Sequence, residues 1–321
     1  MKPLEGRVAL VAGASRGAGR GIARMLGEAG ATVWCTARTS HDAPGPTGRS
    51  ETVEETAAMV DAAGGRGIAA RVDHGDANQV RKLFRRIGKE SGRLDVLVLV
   101  LAAAQVTDWR EFWKQDYAAG RAFIEAWLWP HLATAHEGAK AMAKQGSGLI
   151  VEITDGDTIG YRGPLFYDLM RSSLVRLAYG LAEEMAGKGV TALAITPGFM
   201  RTETVLDHFD ASEENWQEVA RTNAAAKRYM LHASETPCFV GRAVAALAAD
   251  PDGASKSGGV YSSWGLSDEY GFIDVDGRRP HWGRAFAEHV KEHAFGKPAT
   301  PWRWTVVPAA ADGPAEPPSG R

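Results

Sequence analysis

The sequence predicts an α/β fold with a doubly wound, Rossmann-type, mainly seven-stranded parallel sheet in a single domain with an insertion after the sixth strand. Short apolar runs alternate with longer helical stretches along most of the chain. Most of these runs are apolar throughout, which is typical of strands that are buried on both faces of a parallel sheet. The right-handed connections of such a sheet place a ligand site beyond the carboxyl ends of the strands.

Seven apolar runs carry this prediction. In chain order, the predicted strands are Arg7–Gly13, Ala31–Ala37, Gly67–Asp73, Leu94–Leu101, Gly148–Thr154, Val190–Thr196 and Gly259–Trp264. A helical pattern opens at Ile22, directly after the first strand and its turn. Residues 40–50 are rich in glycine, proline and serine and are expected to form a loop.

Two further segments do not follow the alternation of strands and helices. Residues 199–235 form a long insertion after the sixth strand, and their mixture of aromatic, acidic and basic side chains favours a lid or a substrate-side cap. Residues 298–321 are rich in proline and alanine, which predicts a loosely packed tail. Residues 1–297 are therefore expected to form one domain.

The composition excludes several classes of function. The 321 residues, of which 45% are hydrophobic, are enough for one large α/β domain. A formal net charge of −2 gives no reason to expect nucleic acid or a membrane as a partner. Cys35 and Cys238 form neither a metal-ligand spacing nor a disulfide framework, so no metal site is predicted. No signal peptide or transmembrane segment is visible, and a cytoplasmic location is expected.

A glycine-rich turn follows the first predicted strand. Gly13, Gly17 and Gly19 surround Ser15 and Arg16 in the spacing G-x-x-x-G-x-G. Glycine lets the backbone turn tightly and approach a pyrophosphate, and the following helix offers free N–H groups. Glycines in such a turn can serve packing alone, but their place inside a strand–helix–strand unit favours a dinucleotide-binding loop.

The end of the second strand distinguishes between the two nicotinamide cofactors. An NAD site usually carries an acidic residue there for the ribose hydroxyls, whereas this chain reads Ala37-Arg38-Thr39. Arg38 and Arg16 could bind a 2′-phosphate through their forked guanidinium groups, so NADP(H) is preferred over NAD(H). The open alternative is that both arginines are solvated surface groups. Asp73 could accept from the adenine amino group or, equally well, cap the next helix.

From about residue 4 to about residue 264 the chain resembles the short-chain dehydrogenase/reductase family. The spacing of the glycine turn is that of the family's nucleotide loop, and Tyr167 and Arg171 fall where the family has Tyr-x-x-x-Lys. Pro197 and Gly198, followed by Thr202, match a motif that borders the nicotinamide in the family. The longer stretches VEITDGDT, YRGPLFYDLM and GFIDVDGRRPHWGR resemble a bacterial branch that is similar to dehydrogenase/reductase member 1.

The resemblance implies a catalytic set that is altered in this chain. In the family, the tyrosine is the general acid/base, and the lysine supplies a positive charge that lowers the pKa of the phenol. A serine thirteen residues before the tyrosine donates to the substrate oxygen, and an asparagine in the preceding helix holds a relay water. Here Tyr167 is retained, Arg171 replaces the lysine and Thr154 replaces the serine. No asparagine occurs between Gln105 and Gly146, and arginine does not readily lose its proton, so a relay through it is blocked.

Two other departures lie near the expected site. Residues 102–104 are three alanines where the family usually has an Asn-Asn-Ala-Gly turn. Asp155 and Asp157 could act as general bases for an enolisation or a dehydration. The favoured interpretation is that both carboxylates hydrogen-bond the local backbone of a turn.

Aromatic residues on the substrate side suggest an apolar ligand. Trp109 and Trp113 are expected near the cleft, where they could line a pocket together with Phe199, Met200, Phe209 and Trp216. The aromatic residues from Phe123 to Trp129 are interpreted as core and as a subunit interface. The resemblance implies a homodimer or homotetramer.

These observations lead to one leading hypothesis and two alternatives. The leading hypothesis is an NADP(H)-dependent oxidoreductase that acts on a carbonyl/alcohol pair of a small, apolar or ring-containing molecule. The first alternative is a non-redox enzyme on the same fold, such as a cyclase, dehydratase or isomerase, that uses Tyr167 and Thr154 without hydride transfer. The second is a binding protein without catalytic activity.

Overall fold

The computed structural model describes residues 2–45, 48–101, 108–156 and 163–293. The strands in this part of the chain are β1 Val8–Ala12, β2 Thr32–Ala37, β3 Arg66–Arg71, β4 Val96–Leu99, β5 Gly148–Ile153, β6 Val190–Thr196 and β7 Val260–Ser262. The helices are α1 Gly17–Glu28, α2 Val53–Ala62, α3 Ala77–Glu90, α4 Tyr117–Gln145, α5 Leu165–Glu184, α6 Glu203–His208, α7 Trp216–Thr222, α8 Ala224–Arg228, α9 Pro237–Ala249, α10 Ser263–Tyr270 and α11 Trp282–His293.

The seven strands form one sheet in the order β3-β2-β1-β4-β5-β6-β7. Each neighbouring pair is parallel. The chain moves outward from β1 to β3, returns to the other side of β1 and continues to β7. The predicted doubly wound parallel sheet is therefore confirmed, and the reversal of strand order between β1 and β4 marks the switch point where such folds bind ligands.

Helices cover both faces of the sheet and bury its apolar side chains. On one face, Ile22 of α1 and Val244 of α9 belong to one core cluster. On the other face, Leu83 of α3, Met142 of α4 and Leu181 of α5 belong to a second cluster. Burial on two faces explains why the strands read as continuous apolar runs.

Local sequence signals set several helix ends. The Thr52 side chain accepts a hydrogen bond from the Glu55 backbone N–H, and the Glu55 side chain accepts from that of Thr52, which forms a capping box at the start of α2. Gly146 takes a left-handed conformation with φ of 77° and ends α4. The carboxyl ends of β1, β2 and β5 lie along one edge of the sheet because the strands run parallel.

All seven predicted strands are present, with shorter ends in several cases. The fourth strand is Val96–Leu99, two residues shorter at each end than predicted. The seventh strand stops at Ser262, because the side chain of Ser262 accepts a hydrogen bond from Gly265 N and caps α10. The predictions for residues 102–104, for Asp157 and for the tail at 298–321 lie outside the described residues.

The insertion at residues 199–235 has a small core of its own. Its buried members are Phe209, Trp216, Ala220, Ala226 and Leu231. Two guanidinium groups lie over the Trp216 ring, that of Arg201 at 3.9 Å from the ring centroid and that of Arg278 at 4.4 Å. Arg201 is fully buried and also pairs with Asp276 at 2.8 Å, so the insertion is joined to the segment that precedes α11.

Within these described ranges, the helices are either too short or too polar to extend through a lipid bilayer.

Candidate cofactor and substrate site

A cavity of about 300 Å³ lies at the carboxyl edge of the sheet. Many of the residues singled out in the sequence meet in its wall: Gly13, Ser15, Arg16, Gly17, Arg38, Asp73, Thr154, Arg171, Pro197 and Thr202. They come from positions after β1, β2, β3, β5 and β6 and from α5. The topology thus brings together residues that are almost two hundred positions apart.

Two glycines of the turn after β1 are required by close contacts. Gly13 has φ of 97°, and a Cβ atom there would lie 2.3 Å from the carbonyl oxygen of Val100. A Cβ atom on Gly19 would lie 2.1 Å from the carbonyl oxygen of Gly13. The turn can therefore fold against β4 and α1 only without side chains at these positions, which leaves an open backbone surface of the kind that accepts a pyrophosphate.

The N-terminus of α1 faces the start of α6 across this turn. The backbone N–H of Gly17 donates to Glu203 Oε2 at 2.8 Å. Thr202 caps α6, because its side chain accepts from Val205 N, and its Cγ2 lies 3.4 Å from where a Cβ of Gly17 would be. Thr202 is thus adjacent to the glycine turn, and its role beside the nicotinamide stays a prediction, whereas the contact of Glu203 has no signal in the sequence.

Arginine side chains gather beside the end of β2. Arg16 is half-buried, and burial lowers the pKa of its guanidinium. The nearby positive charges of Arg49 and Arg38 lower this pKa further. Glu51 and Glu203 oppose that lowering. Arg49 pairs with Glu51 and Asp207 and was not predicted, because residues 40–50 read only as a loop. Arg16 and Arg38 both line the cavity, whereas Arg49 is paired with two carboxylates.

Asp73 does not cap α3. The strand β3 ends at Arg71, and the Asp73 carboxylate accepts from Gly75 N at 2.9 Å within the turn that follows. Asp76 is the cap, accepting from the backbone N–H of Asn78 and Gln79. The cap interpretation of Asp73 is therefore wrong. Asp73 remains in the cavity wall, where its role toward adenine stays a prediction.

Tyr167 and Arg171 lie one turn apart on α5. The Tyr167 hydroxyl donates to Asp155 Oδ2 at 2.7 Å. The guanidinium of Arg171 lies 5.2 Å from the Tyr167 ring and 4.8 Å from the Trp127 ring, so it is held between two aromatic side chains. Thr154, Arg171 and Trp127 line the cavity, whereas the described wall does not include Tyr167.

The environment of Tyr167 keeps its phenol protonated. Burial raises the pKa of Tyr167, the charge of Arg171 lowers it, and the carboxylate of Asp155 raises it again. The net effect is to raise the pKa of Tyr167.

Thr154 donates its hydroxyl proton to the Arg171 carbonyl oxygen at 3.4 Å. This long hydrogen bond leaves the hydroxyl able to turn toward a ligand.

Two buried histidines lie at the cavity, His74 in its wall and His131 against the end of β4. His74 lies between the hydroxyls of Thr36 and Thr134, at 2.9 and 2.8 Å, and burial lowers the pKa of His74 to about 3. His131 pairs with buried Glu152 at 2.7 Å and contacts the Leu101 carbonyl oxygen at 3.0 Å. These contacts tie α4 to β2, β5 and the end of β4, and the sequence holds no signal for them.

A buried carboxyl group holds the loop after β6. Glu235 Oε2 accepts from Gly198 N at 2.9 Å and from the Ser263 hydroxyl at 2.7 Å. Burial raises the pKa of Glu235 to about 8, and its Oε1 has no hydrogen-bond partner among the described residues. Gly198, predicted to border the cofactor, is thus positioned by a residue that sequence reasoning missed.

The aromatic predictions for the substrate side are only partly met. Met200 lines the cavity, but Phe209 and Trp216, each 5% exposed, lie in the core of the insertion instead. Trp109 and Trp113 project outward and are 69% and 78% exposed. Trp127, interpreted from the sequence as core and interface, is buried in a core cluster with Met170 and Leu174, and it also lines the cavity.

Among the described side chains, no group of three or more histidine, cysteine, aspartate or glutamate residues has the geometry to hold a metal ion. The glycine turn, the arginines and the apolar wall instead fit a nicotinamide dinucleotide. The fold and this site define a Rossmann-type protein of the dinucleotide-binding class.

Comparisons with known proteins agree with this class. The family described as short chain dehydrogenase matches residues 7–214. Dehydrogenase/reductase SDR family member 1 from Homo sapiens is 33% identical over 281 residues, which cover 86% of this chain and 85% of the human protein. This chain therefore belongs to the short-chain dehydrogenase/reductase family, a family of oxidoreductases.

Solved structures show the same architecture. A short chain dehydrogenase from Mycobacterium thermoresistibile superimposes with a TM-score of 0.70 at 19% identity, covering 87% of this chain and 92% of that one, which supports the fold alone. A structure from Beutenbergia cavernae, described as an NAD(P)-dependent gluconate 5-dehydrogenase with bound NADP at low occupancy, has a TM-score of 0.61 at 27% identity. The match covers 81% of this chain and 96% of the chain of that protein.

Proposed function

We propose that this chain is an NADP(H)-dependent oxidoreductase that acts on a carbonyl/alcohol pair of a small, apolar or ring-containing molecule. The observation that carries the cofactor preference is the end of β2. Arg38 stands there in place of an acidic residue, with Arg16 of the glycine turn beside it. Guanidinium groups bind a phosphate in a forked geometry, whereas an NAD site requires a carboxylate for the ribose hydroxyls.

Each part of the cavity has a role in this proposal. Gly13, Gly17 and Gly19 receive the pyrophosphate with Ser15, and the segment Pro197–Thr202 borders the nicotinamide. When bound, the nicotinamide supplies the hydride donor or acceptor. Thr154 orients the substrate oxygen, and Tyr167 exchanges a proton with it. Arg171 provides the positive charge that the family obtains from lysine.

The walls near Arg171 favour an apolar substrate. Trp127, Pro130, Ile153 and Met200 all line the cavity. Such a surface binds a ring or a hydrocarbon chain by burial, and it offers few hydrogen bonds to a sugar.

The proposal includes a homodimer or homotetramer, which light scattering of the purified protein checks directly.

A non-redox reaction is the second candidate function. The Tyr167 hydroxyl donates to Asp155, and Arg171 lies between two rings. A phenol and a carboxylate in this arrangement could also move protons in a cyclase, dehydratase or isomerase. Turnover that persists without nucleotide and is lost in Tyr167→Phe favours this second function.

The cofactor preference is tested by titrating the protein with NADPH and NADH. Arg38→Ala should weaken NADPH binding by about tenfold or more, since a charge-assisted hydrogen bond contributes about 1.5–3 kcal/mol. NADH binding should stay nearly constant. Arg81→Ala, on the outer face of α3, is the matched control and should affect neither nucleotide. Equal loss of both nucleotides in Arg38→Ala, or no binding of either by the native protein, contradicts the proposal.

The redox activity is tested by following NADPH absorbance with a panel of aryl and alkyl ketones. Oxidation of NADPH that depends on the ketone and is lost in Tyr167→Phe supports the proposal. Tight NADPH binding without turnover of any ketone or alcohol in the panel contradicts the catalytic part and leaves a binding function.

A further inference from the structure

The carboxylate of Asp155 touches the atom that exchanges a proton in the proposed function. Its Oδ2 accepts from the Tyr167 hydroxyl at 2.7 Å. The bond joins the loop after β5 to the first turn of α5, twelve residues further along the chain. A phenol that donates to a carboxylate has a ready acceptor for its own proton.

The backbone around Asp155 is held on both sides. The Thr154 N–H donates to the Ile195 carbonyl oxygen at 2.9 Å, and the Gly156 N–H donates to Thr196 Oγ1 at 2.8 Å. Both partners belong to β6. The carboxylate therefore sits on a segment anchored to the sheet, directly beside the threonine that lines the cavity.

Within the part of the chain that the structure describes, the other groups that face Tyr167 do not provide a proton acceptor. Arg171 is the charged neighbour on α5, and its guanidinium is held between the Trp127 and Tyr167 rings. A guanidinium stays protonated throughout the accessible pH range. From α4, the side chains packed in this cluster, Phe123, Trp127 and Leu128, are aromatic or aliphatic. Among the described residues around the phenol, Asp155 is the carboxylate in contact with it.

A resident tyrosinate cannot take over this task. Burial and Asp155 raise the pKa of Tyr167 above its ordinary value, so the phenol is neutral at physiological pH. A neutral phenol can accept a proton from an alcohol only if it releases its own proton at the same time. That release requires a base on its other side.

We infer that Asp155 is the proton acceptor of this site, with Tyr167 as the bridge between it and the substrate. The O–H bond of a substrate alcohol breaks and its proton forms a new bond to Oη of Tyr167, while the phenol proton moves to Oδ2 of Asp155. Tyr167 stays neutral, the negative charge passes from the carboxylate to the substrate oxygen, and the proton on Asp155 is released to water. In the reduction of a carbonyl, the carbon takes up the hydride that a bound nicotinamide would supply, and the same proton transfers run in reverse to protonate the resulting alkoxide.

This inference rests on the proposed function for its catalytic part, but the Tyr167–Asp155 pair can be tested without cofactor. Near-ultraviolet absorbance of tyrosinate is followed against pH in the native protein, and the titration of Tyr167→Phe is subtracted. The difference should place the pKa of Tyr167 above that of free tyrosine. Asp155→Asn should lower this pKa by about one unit or more, because it removes a negative charge in contact with the phenol. Glu184→Gln, an exposed charge change on α5, should leave it unchanged.

The catalytic part is tested with oxidised NADP and 1-phenylethanol as the probe alcohol. In Asp155→Asn, kcat should fall about a hundredfold, with KM little changed, because the acceptor is lost while the binding wall is kept. The remaining activity should rise with pH in the alkaline range, where tyrosinate forms without help. Circular dichroism establishes that the variant is folded.

Different results separate the two claims. If the native protein binds NADP but oxidises no probe alcohol, the proposed function fails, and the titration alone decides whether Asp155 and Tyr167 are a proton pair. An unchanged or higher pKa of Tyr167 in Asp155→Asn overturns the inference. So does a native pKa below that of free tyrosine, or a kcat in Asp155→Asn close to that of the native enzyme.

Discussion

The Glu203 carboxylate accepts a hydrogen bond from the backbone N–H of Gly17 at 2.8 Å. This N–H belongs to the first residue of α1, at the end of the helix that attracts anions. Glu203 also lies 3.8 Å from the guanidinium of Arg20. A side chain of the protein thus uses the donor that the family's nucleotide loop offers to a pyrophosphate.

The first prediction concerns this carboxylate. Glu203→Gln should tighten NADPH binding by about three- to tenfold, because a surface charge in direct contact with a phosphate costs about 1 kcal/mol. Fluorescence titration of NADPH measures the change, with Glu214→Gln, an exposed residue of the insertion, as control. Equal or weaker binding by Glu203→Gln contradicts the idea that the carboxylate competes with the cofactor.

The second prediction concerns the glycine turn. Gly19→Ala places a methyl group 2.1 Å from the Gly13 carbonyl oxygen, so the turn must shift. The free energy of unfolding should fall by about 1–3 kcal/mol, and NADPH binding should be lost. Gly88→Ala, in α3 with no atom within 4 Å of the new methyl group, should be neutral or stabilising by up to about 1 kcal/mol. Urea denaturation measures the free energy of unfolding of both variants. A Gly19→Ala protein with the stability and the NADPH affinity of the native protein would contradict the packing argument.

The third prediction concerns the arginine between two rings. Arg171→Lys should lower the free energy of unfolding by about 1 kcal/mol, because lysine cannot stack on Trp127 and Tyr167 together. It keeps the positive charge and should leave the pKa of Tyr167 nearly unchanged. Arg171→Met removes the charge and should raise that pKa further, since Arg171 lowers it. Tyrosinate absorbance and thermal denaturation measure the two effects.

Arg176→Lys is the matched control for this pair of variants. Arg176 stacks on a single exposed ring, that of Tyr179, at 4.8 Å. Its replacement should cost clearly less than that of Arg171. Equal costs at both positions are inconsistent with a special role for the buried stack.

The fourth prediction is a pH dependence caused by Glu235. Its pKa is about 8 in the folded protein, against 4.5 as the ordinary value. Between these values the folded protein holds a proton that the unfolded chain has released. The contribution of Glu235 to stability is therefore complete below pH 4.5 and is lost as the pH rises through about 8. Glu235→Gln removes this pH-dependent contribution. The free energy of unfolding of the variant, relative to that of the native protein, should therefore increase with pH, by at most about 1.4 kcal/mol per pH unit.

Denaturant unfolding at several pH values measures this difference. Asp274, whose pKa burial also raises, is present in both proteins and contributes to both curves. A constant difference between Glu235→Gln and the native protein across this range shows that Glu235 is not protonated when folded. Loss of cofactor affinity in the same variant would reflect movement of Gly198.

Several features of this site follow from local sequence alone. Tyr167 and Arg171 are four residues apart in a helical segment, so they share one face of α5. Arg38 ends an apolar run and Gly13 ends another, and the parallel arrangement of those runs brings both to one edge of the sheet. The placement of Gly13, Arg38 and Thr154 in one cavity could therefore be predicted before any coordinates.

Other predictions from the sequence were wrong because they concerned burial on irregular segments. Phe209 and Trp216 read as pocket-lining residues but form the core of the insertion. By contrast, Trp127 is buried in a core cluster, as the sequence predicts, and it also lines the cavity. Aromatic composition indicates that a surface is apolar, but not whether the chain folds that surface inward or toward the cleft.

The sequence by itself determined the seven strands, the order of turn and helix after β1 and the presence of Arg171 four residues after Tyr167. Hydrophobic periodicity and backbone conformation depend on neighbours a few residues away, so a linear pattern carries them. The tertiary structure alone decided that Asp155 is the partner of Tyr167, that Glu203 reaches Gly17 across the turn, and that Glu235 lies under Gly198. Each of these polar groups could bind many others in the unfolded chain, and only packing against distant strands and helices removes water and selects one partner.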